Sequence, residues 1–241
     1  MIRPTVGMVL SAGRGARLRP LTDTIPKPLV PVLGRPLLDH AIDRLAAAGV
    51  ARVVVNVHHL GQQIVEHLKA RPAPEIVISA EATALETGGG VTQALPLLGD
   101  APFFAVNGDS LWFDGAIPAL DRLAAAFDPA QHDAMLLLQK TVSAVGYEQN
   151  RGDFFLGADG KPRRVAPGEI APFLFAGVQI LAPHLFADAP AGAFSLNRIY
   201  DRALAAGRLG ALVHDGEWYT VTDEAGLAQV RARLDRRWAG R

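Results

Sequence analysis

The chain has 241 residues, of which 49% are hydrophobic and 20% charged, so it is long enough for one sizeable α/β domain with its own core. The 24 basic and 24 acidic residues cancel, which argues against nucleic acid or an anionic membrane as a partner. The sequence contains no cysteine, which excludes disulfides, a thiolate nucleophile and cysteine-bound zinc.

The first predicted strand, residues 6–10, runs into a loop of small and basic residues, 11–17. Small side chains let backbone N–H groups approach a phosphate closely, and successive amides in such a turn form an anion-binding site. Arg17 and Lys27 bring two cations near this loop, as the binding of a triphosphate requires. Prolines on both sides stiffen the backbone around Lys27.

Two common glycine-rich phosphate loops do not fit this segment. The dinucleotide fingerprint G-x-G-x-x-G requires a third glycine at position 18, which is Leu18. The G-x-x-x-x-G-K-[ST] loop requires Gly-Lys where Leu18 and Arg19 stand. The sequence therefore argues against a nicotinamide-dependent dehydrogenase and against a P-loop enzyme.

Two sequence pieces instead resemble the signature of the sugar-1-phosphate nucleotidyltransferases. They are G-R-G-A-R-L-R-P-L-T at residues 13–22 and P-K-P-L-V-P at residues 26–31. The resemblance implies a Rossmann-like α/β fold, with a mostly parallel central sheet flanked by helices and a small β-hairpin insertion that binds the sugar. It places the nucleotide against Leu10, Ser11, Ala12, Gly13 and Gly15.

Helical and strand patterns alternate after the signature, which predicts a parallel sheet with ligands at the carboxyl ends of its strands. Further strands are predicted at 50–57, 75–79, 103–109, 134–139 and 173–181, with two short ones around Leu212 and Tyr219. Helices are predicted at 38–48, 62–69, 91–98, 116–127, 196–206 and 224–237. Residues 143–150 read as a mobile polar link, and residues 151–155 and 163–165 as the two arms of a hairpin.

The segment L-E-T-G-G-G at residues 85–90 precedes the predicted helix at 91–98. Three glycines leave bare backbone on which a flat ligand can lie, although a flexible loop is the simpler explanation. The nucleotidyltransferases carry their base-recognition loop at this place, so the resemblance implies nucleotide contacts by Glu86, Gly88 and Gly89. This segment, with L-G-Q-Q-I at 60–64 and A-L-P-L-L-G-D-A-P-F at 94–103, resembles the N-acetylmuramic acid α-1-phosphate uridylyltransferases, which use UTP.

The predicted strand at 103–109 ends in Asn-Gly-Asp. A carboxylate at the carboxyl end of a strand, beside a phosphate loop, can hold Mg²⁺ between protein and phosphate oxygens. The alternative is a solvated acid in an Asn-Gly-Asp turn. The resemblance implies that Asp109 is the metal ligand and that Asn107 contacts substrate.

Two residues of the second half are assigned to the sugar side by the resemblance. Asp153 belongs to an R-G-D-F sequence that the uridylyltransferases also carry. Gly177 interrupts an apolar strand, where a glycine is unfavourable unless another group must come close. The resemblance implies that the sugar phosphate lies against it.

The chain departs from the resemblance near its C-terminus, where most nucleotidyltransferases carry a second metal aspartate in W-x-D-x-G-T. Thr220 stands where the aspartate would be, and Thr222 where the glycine would be. Either Asp109 holds Mg²⁺ together with phosphate oxygens and waters, or another acid such as Asp223 substitutes.

The resemblance thus implies a Mg²⁺-dependent enzyme that joins UTP and a sugar 1-phosphate, with N-acetylmuramic acid α-1-phosphate as the best candidate, in peptidoglycan sugar recycling. Arg17, Lys27 and Asp109 are the expected catalytic residues, with Arg17 and the amides of residues 11–15 at the β- and γ-phosphates. The alternatives are mannose, glucose or heptose 1-phosphate with another nucleotide, or a relative that binds nucleotide-sugars without turnover.

One nucleotidyltransferase domain is expected, with a nucleotide-binding core at 1–110 and a sugar-phosphate part at 111–241. Because the sequence shows neither a signal peptide nor an apolar run of roughly 20 residues, we expect a cytoplasmic protein without membrane or nucleic-acid partners. Whether it is a monomer or a weak dimer stays open.

Overall fold

A computed structural model describes residues 3–147 and 151–238, so residues 148–150 of the expected polar link lie outside the described part. The strands are β1 (Val6–Leu10), β2 (Pro31–Val32), β3 (Arg35–Pro36), β4 (Arg52–Val57), β5 (Glu75–Ala80), β6 (Phe103–Asn107), β7 (Ser110–Phe113), β8 (Ala134–Lys140), β9 (Phe154–Leu156), β10 (Pro162–Arg164), β11 (Phe173–Leu181), β12 (Leu209–Val213) and β13 (Glu217–Thr220). The α-helices are α1 (Leu37–Ala47), α2 (Gly61–Leu68), α3 (Glu86–Leu98), α4 (Ala119–Ala126), α5 (Asn197–Ala205) and α6 (Glu224–Trp238).

The main sheet has the strand order β12–β8–β11–β6–β1–β4–β5. The pairs β6–β1, β1–β4 and β4–β5 are parallel, so their carboxyl ends meet at one edge. Strand β11 runs antiparallel to both β6 and β8, and the β9–β10 hairpin extends the sheet from the start of β11. The expected α/β fold, with a mostly parallel sheet and a hairpin insertion, is confirmed.

Helices cover both faces of this sheet. The first face packs against α1, α2 and α4, and the second against α3 and α5. Successive strand residues alternate between the two layers, as the two-residue period of a strand requires: Val9 lies in the first core and Met8 in the second. A third cluster seats α6 through Val230 and Leu234 beside β7 and β13. In the described part of the chain, no helix is long and apolar enough to cross a membrane.

Most predicted elements lie within three residues of their observed bounds, but the predicted start of α3 was wrong. The helix begins at Glu86, so the three glycines lie inside it rather than in a preceding loop. A Cβ at Gly88 would lie 2.3 Å from the Phe194 ring, and one at Gly89 would lie 2.3 Å from the carbonyl oxygen of Gly192. These glycines are therefore required by close packing, and their low helix propensity is overridden by tertiary structure.

Strand β6 also ends earlier than predicted, at Asn107. Gly108 and Asp109 form a tight connection to β7, whose four residues the sequence analysis did not identify as a strand. β7 pairs with β13 in a separate two-stranded sheet. Asp109 therefore projects from a turn between two sheets.

The packing predicts that Phe104→Ala lowers the free energy of unfolding by about 3–5 kcal/mol, because it opens a cavity in a close-packed core. Phe104 is fully buried on the central strand β6. Equilibrium urea denaturation measures the change. Val142 is 93% exposed, so Val142→Ala serves as the control and should alter stability by no more than about 0.5 kcal/mol. Equal losses in the two variants would contradict the packing described here.

Candidate active site

A cleft of about 430 Å³ opens at the carboxyl ends of β1, β4 and β6. This size falls in the range of small-molecule sites. The residues that line it include Leu10, Ser11, Ala12, Gly13, Arg14, Gly15, Arg17, Lys27, Asn56, Glu81, Leu85, Glu86, Thr87, Asn107, Asp109 and Thr222. The structure thus brings together most of the predicted site residues, whereas Gly88, Gly89, Asp153 and Gly177 do not line this cleft.

The loop that follows β1 is fixed from below by Thr22 and Lys27. Gly15 has a left-handed conformation with φ of +62°, and the Thr22 hydroxyl donates to its carbonyl oxygen at 2.9 Å. A Cβ at Gly15 would approach the Thr22 side chain to 2.9 Å and Lys27 Cβ to 3.1 Å. Glycine at position 15 therefore lets the loop backbone pack directly against Cβ of Lys27, which lines the same cleft.

One expected amide donor is committed elsewhere. The Ser11 N–H donates to Asn56 Oδ1 at 2.8 Å, in a buried position. The prediction that the amides from residue 11 onward all face phosphate was wrong at Ser11, because its amide already has a protein partner. The amides of residues 12–15 stay as candidates, and the binding role of the Ser11 side chain stays a prediction.

Lys27 and Asp109 form an ion pair in the cleft, with 2.6 Å between Nζ and Oδ2. Their side chains are 13% and 31% exposed, so the pair is partly shielded from water. Lys27 begins a 3₁₀ turn, Lys27–Leu29, whose first residue follows an extended proline. The site therefore pairs the Lys27 ammonium with the Asp109 carboxylate. The second carboxylate oxygen of Asp109, Oδ1, is available to a ligand.

Two further cations stand at the rim of the cleft. Arg14 and Arg17 both line it with exposed side chains. Guanidinium groups bind phosphate oxygens through paired N–H donors. Together with Lys27 they make this end of the cleft suitable for a polyphosphate.

The other end of the cleft is formed by residues 84–87 at the start of α3. Glu86 has a positive φ of +57° although it is not a glycine, a strained conformation that is common at ligand sites. The amides of Gly88 and Gly89 both donate to the Phe194 carbonyl oxygen, at 2.8 and 3.2 Å. Both amides therefore already have a protein partner, and base contacts through Gly88 and Gly89 stay a prediction. The backbone of Leu85, Glu86 and Thr87 lines the cleft and is the better candidate.

Gly177 lies where β11 shifts its register against β8. Its φ is +74°, and a Cβ would lie 2.4 Å from Ser110 Oγ and 2.9 Å from Asn107 Nδ2. The groups that come close to this glycine are thus the side chains of Ser110 and Asn107, of which Asn107 lines the cleft. A contact between Gly177 and a sugar phosphate stays a prediction.

Asp153 is occupied by a structural contact. One of its carboxylate oxygens accepts the Phe175 N–H at 2.8 Å, and this bond ties the hairpin to β11. Burial raises the pKa of Tyr147 above its usual value, and the nearby Asp153 carboxylate raises it further. The role of Asp153 on the sugar side stays a prediction.

The residues around position 220 contribute no carboxylate to the lining of the cleft. Thr220 is buried opposite Ser110 in the β13–β7 pair and does not line the cleft. Asp223 accepts the Gly226 N–H at 2.8 Å and caps α6, so it is a poor substitute ligand. Among the described residues, no group of three His, Asp or Glu side chains is placed to hold a metal ion.

Two polar residues of the cleft were missed by the sequence analysis. Asn56 is 2% exposed and Glu81 is 6% exposed, yet both line the cleft. Asn56 Nδ2 donates to Glu81 Oε1 at 2.7 Å, and Glu81 Oε2 accepts the Leu85 N–H at 3.1 Å. The available signal was an asparagine inside the otherwise apolar end of β4, because such a residue requires buried hydrogen-bond partners.

Comparisons with known proteins find relatives over nearly the whole chain. The model of the nucleotidyl transferase family matches residues 6–147. The N-acetylmuramate alpha-1-phosphate uridylyltransferase of Caulobacter vibrioides is 46% identical over 236 residues, which is 96% of this chain and 97% of that protein. The protein of the same description from Neisseria meningitidis serogroup B is 38% identical over 93% of this chain and 96% of its own length.

Solved structures support the fold alone. A UDP-glucose pyrophosphorylase solved with UDP-glucose superposes with a TM-score of 0.79, covering 98% of this chain and all of that one. Its sequence identity is 18%. The shared architecture therefore extends over nearly the whole of both chains.

The crowding at Gly177 predicts a larger loss of stability for Gly177→Ala than for Gly207→Ala. Both glycines have positive φ, +74° and +66°, but a Cβ at Gly207 meets no atom within 4 Å. Gly207→Ala therefore carries only backbone strain of roughly 1–2 kcal/mol. Gly177→Ala should cost about 1–3 kcal/mol more, because it displaces Ser110 and Asn107. Equal losses in denaturant unfolding would contradict the close contact.

Proposed function

The chain belongs to the nucleotidyl transferase family, and on that premise we propose that it joins UTP and N-acetylmuramic acid α-1-phosphate to form the UDP-sugar and pyrophosphate. The observation that carries the proposal is similarity over nearly the whole chain to two N-acetylmuramate alpha-1-phosphate uridylyltransferases. The Lys27–Asp109 pair in a cleft rimmed by arginines supports the same chemistry. We place the reaction in the recycling of peptidoglycan sugars.

The reaction is an in-line displacement at phosphorus. An oxygen of the sugar 1-phosphate attacks the α-phosphorus of UTP and forms the new P–O bond. The bond from the α-phosphorus to the bridging oxygen of the β-phosphate breaks, and pyrophosphate leaves with its electron pair. Because the attacking phosphate is already ionised at neutral pH, the enzyme needs no general base and must supply positioning and charge neutralisation.

The cations of the cleft supply that neutralisation. We assign Lys27 to the α-phosphate, because it is the least exposed of the cations and is held in a turn that faces the cleft. We assign Arg17, with the amides of residues 12–15, to the β- and γ-phosphates. Pyrophosphate is the leaving group, so these contacts stabilise the charge that develops on it.

Asp109 is the residue that would hold Mg²⁺. Its fit follows from geometry: one oxygen contacts Lys27 at 2.6 Å and the other is available to a ligand. A single protein carboxylate suits Mg²⁺, which usually keeps several waters and shares its other positions with substrate phosphates. When bound, the ion would neutralise phosphate charge and fix the geometry of the triphosphate.

The remaining assignments divide the chain by substrate. We propose that residues 1–110 bind the nucleotide and that residues 111–241 supply most of the sugar-phosphate side, within one domain. Asn107 lies in the cleft next to Gly177, so it can position the attacking phosphate. Glu86 and its neighbours lie at the other end, where the base would stack and be read.

One observation favours a second candidate, a relative that binds nucleotide-sugars without turnover. Thr220 replaces a carboxylate that the resemblance to the family leads us to expect. Without that acid the cleft could retain affinity for nucleotide and lose rate.

Pyrophosphate release separates these candidates. With Mg²⁺ present, UTP, GTP, CTP and dTTP are each combined with the 1-phosphates of N-acetylmuramic acid, N-acetylglucosamine, glucose and mannose. We expect turnover with UTP and N-acetylmuramic acid α-1-phosphate. Turnover with another pair alone would overturn the substrate assignment, and binding of UTP without release would favour the non-catalytic candidate.

The charge assignments predict that Lys27→Ala and Asp109→Ala each lower kcat by at least about 10²–10³, as loss of a transition-state contact does. The reason is that each variant leaves phosphate charge unneutralised at the reacting centre. Steady-state pyrophosphate release measures the rate, and thermal melting checks that the variants are folded.

Lys69→Ala and Asp188→Ala are the matched controls, since these side chains are 62% and 89% exposed and lie outside the cleft. The controls should keep the wild-type rate. Release at the wild-type rate by either cleft variant would remove that residue from the mechanism.

A further inference from the structure

We propose that Asn56 and Glu81 form a positioning relay that joins the phosphate loop (residues 11–17) to the base-proximal segment (residues 84–87) and sets the affinity for nucleotide. The relay runs from the Ser11 amide through the two side chains to the Leu85 amide. Its effect on nucleotide rests on the proposed function, whereas the coupling between the two loops does not.

The geometry is a continuous chain of three hydrogen bonds. Ser11 N–H donates to Asn56 Oδ1 at 2.8 Å, and Asn56 Nδ2 donates to Glu81 Oε1 at 2.7 Å. Glu81 Oε2 then accepts the Leu85 N–H at 3.1 Å. Ser11 and Leu85 both line the cleft, at its phosphate end and its base end. The relay therefore fixes the separation of the two ends.

The relay is buried and tightly enclosed. Asn56 is 2% exposed and Glu81 is 6% exposed. A Cβ at Gly90 would lie 2.7 Å from Glu81 Oε1 and 2.8 Å from Asn56 Nδ2, so helix α3 leaves room for the relay only through this glycine. Buried polar groups of this kind are costly unless every one of them is paired.

The direction of the bonds allows a single arrangement. Both ends of the relay are backbone N–H groups, which can only donate. Asn56 accepts from Ser11 through Oδ1 and donates to Glu81 through Nδ2. Glu81 must therefore accept hydrogen bonds on both of its carboxylate oxygens. A carboxylate does this and an amide does not. Rotating the Asn56 amide gives no remedy, because its NH₂ group would then face the Ser11 N–H.

Because the donors and acceptors follow a fixed order, exchanging the amide and the carboxylate between positions 56 and 81 tests the relay. Glu81→Gln places an NH₂ group against a donor, and Asn56→Asp places two carboxylates against each other. Combining the two substitutions restores the pattern: an aspartate at 56 accepts from Ser11 and from the glutamine at 81, whose oxygen accepts from Leu85. A residue needed only for packing would show no such reciprocal rescue.

The experiment compares the wild type, the two single variants and the double variant. Amide hydrogen exchange is followed at Ser11 and Leu85 without ligand, and UTP binding is measured by calorimetry. We expect Glu81→Gln to speed exchange at Ser11, which Glu81 does not touch, and each single variant to weaken UTP binding about tenfold or more. The double variant should return both readouts to near the wild-type values.

Glu66→Gln is the control for the chemical change, because this glutamate is 66% exposed and lies outside the cleft. Faster exchange confined to Leu85 in Glu81→Gln, or a folded double variant without rescue, would overturn the relay. If the wild type does not bind UTP, the proposed function fails while the exchange data still decide whether the two loops are coupled.

Discussion

The register of three parallel strands is the constraint on which the site depends. Strand β1 lies between β4 and β6, and its last residue, Leu10, is paired with Asn56 on one side and Asn107 on the other. Two of these strands lead directly into residues that line the cleft: residues 11–17 follow β1, and Asp109 lies two residues beyond Asn107 at the end of β6. A shift of one residue in either pair would turn these side chains to the opposite face and disperse the cleft.

The cleft is charged before any ligand arrives, and this charge is balanced locally. Lys27 and Asp109 neutralise each other at 2.6 Å, partly shielded from water. Such a pair contributes little net stability to the fold, because the cost of removing both charges from water offsets much of their attraction. In the mechanism proposed above, its value lies in placement: a phosphate would pair with Lys27 and a metal ion with Asp109, so that neither charge would be left alone.

Local signals in the sequence were sufficient for much of this description. Alternating apolar runs gave the order of strands and helices, and the loop at residues 11–17 with Asp109 located the cleft. Contacts between distant residues were not accessible. The partners Asn56 and Glu81 lie 25 residues apart, and Gly88 packs against Phe194, so neither has a local pattern. Three consecutive glycines predicted a loop because glycine has a low helix propensity. That propensity carries no information about the Phe194 ring, which leaves no room for a side chain at Gly88.

Thr220 can be understood from the same balance of charge. The cleft is lined by three cations, Arg14, Arg17 and Lys27, and by three acids, Glu81, Glu86 and Asp109. Thr220 is 6% exposed and lies opposite Ser110, so a carboxylate there would add a fourth acid in a nearly dry position beside the cleft. Such a charge requires a bound cation or several donors to be stable. The threonine removes that requirement, and it keeps the numbers of cations and acids at the cleft equal.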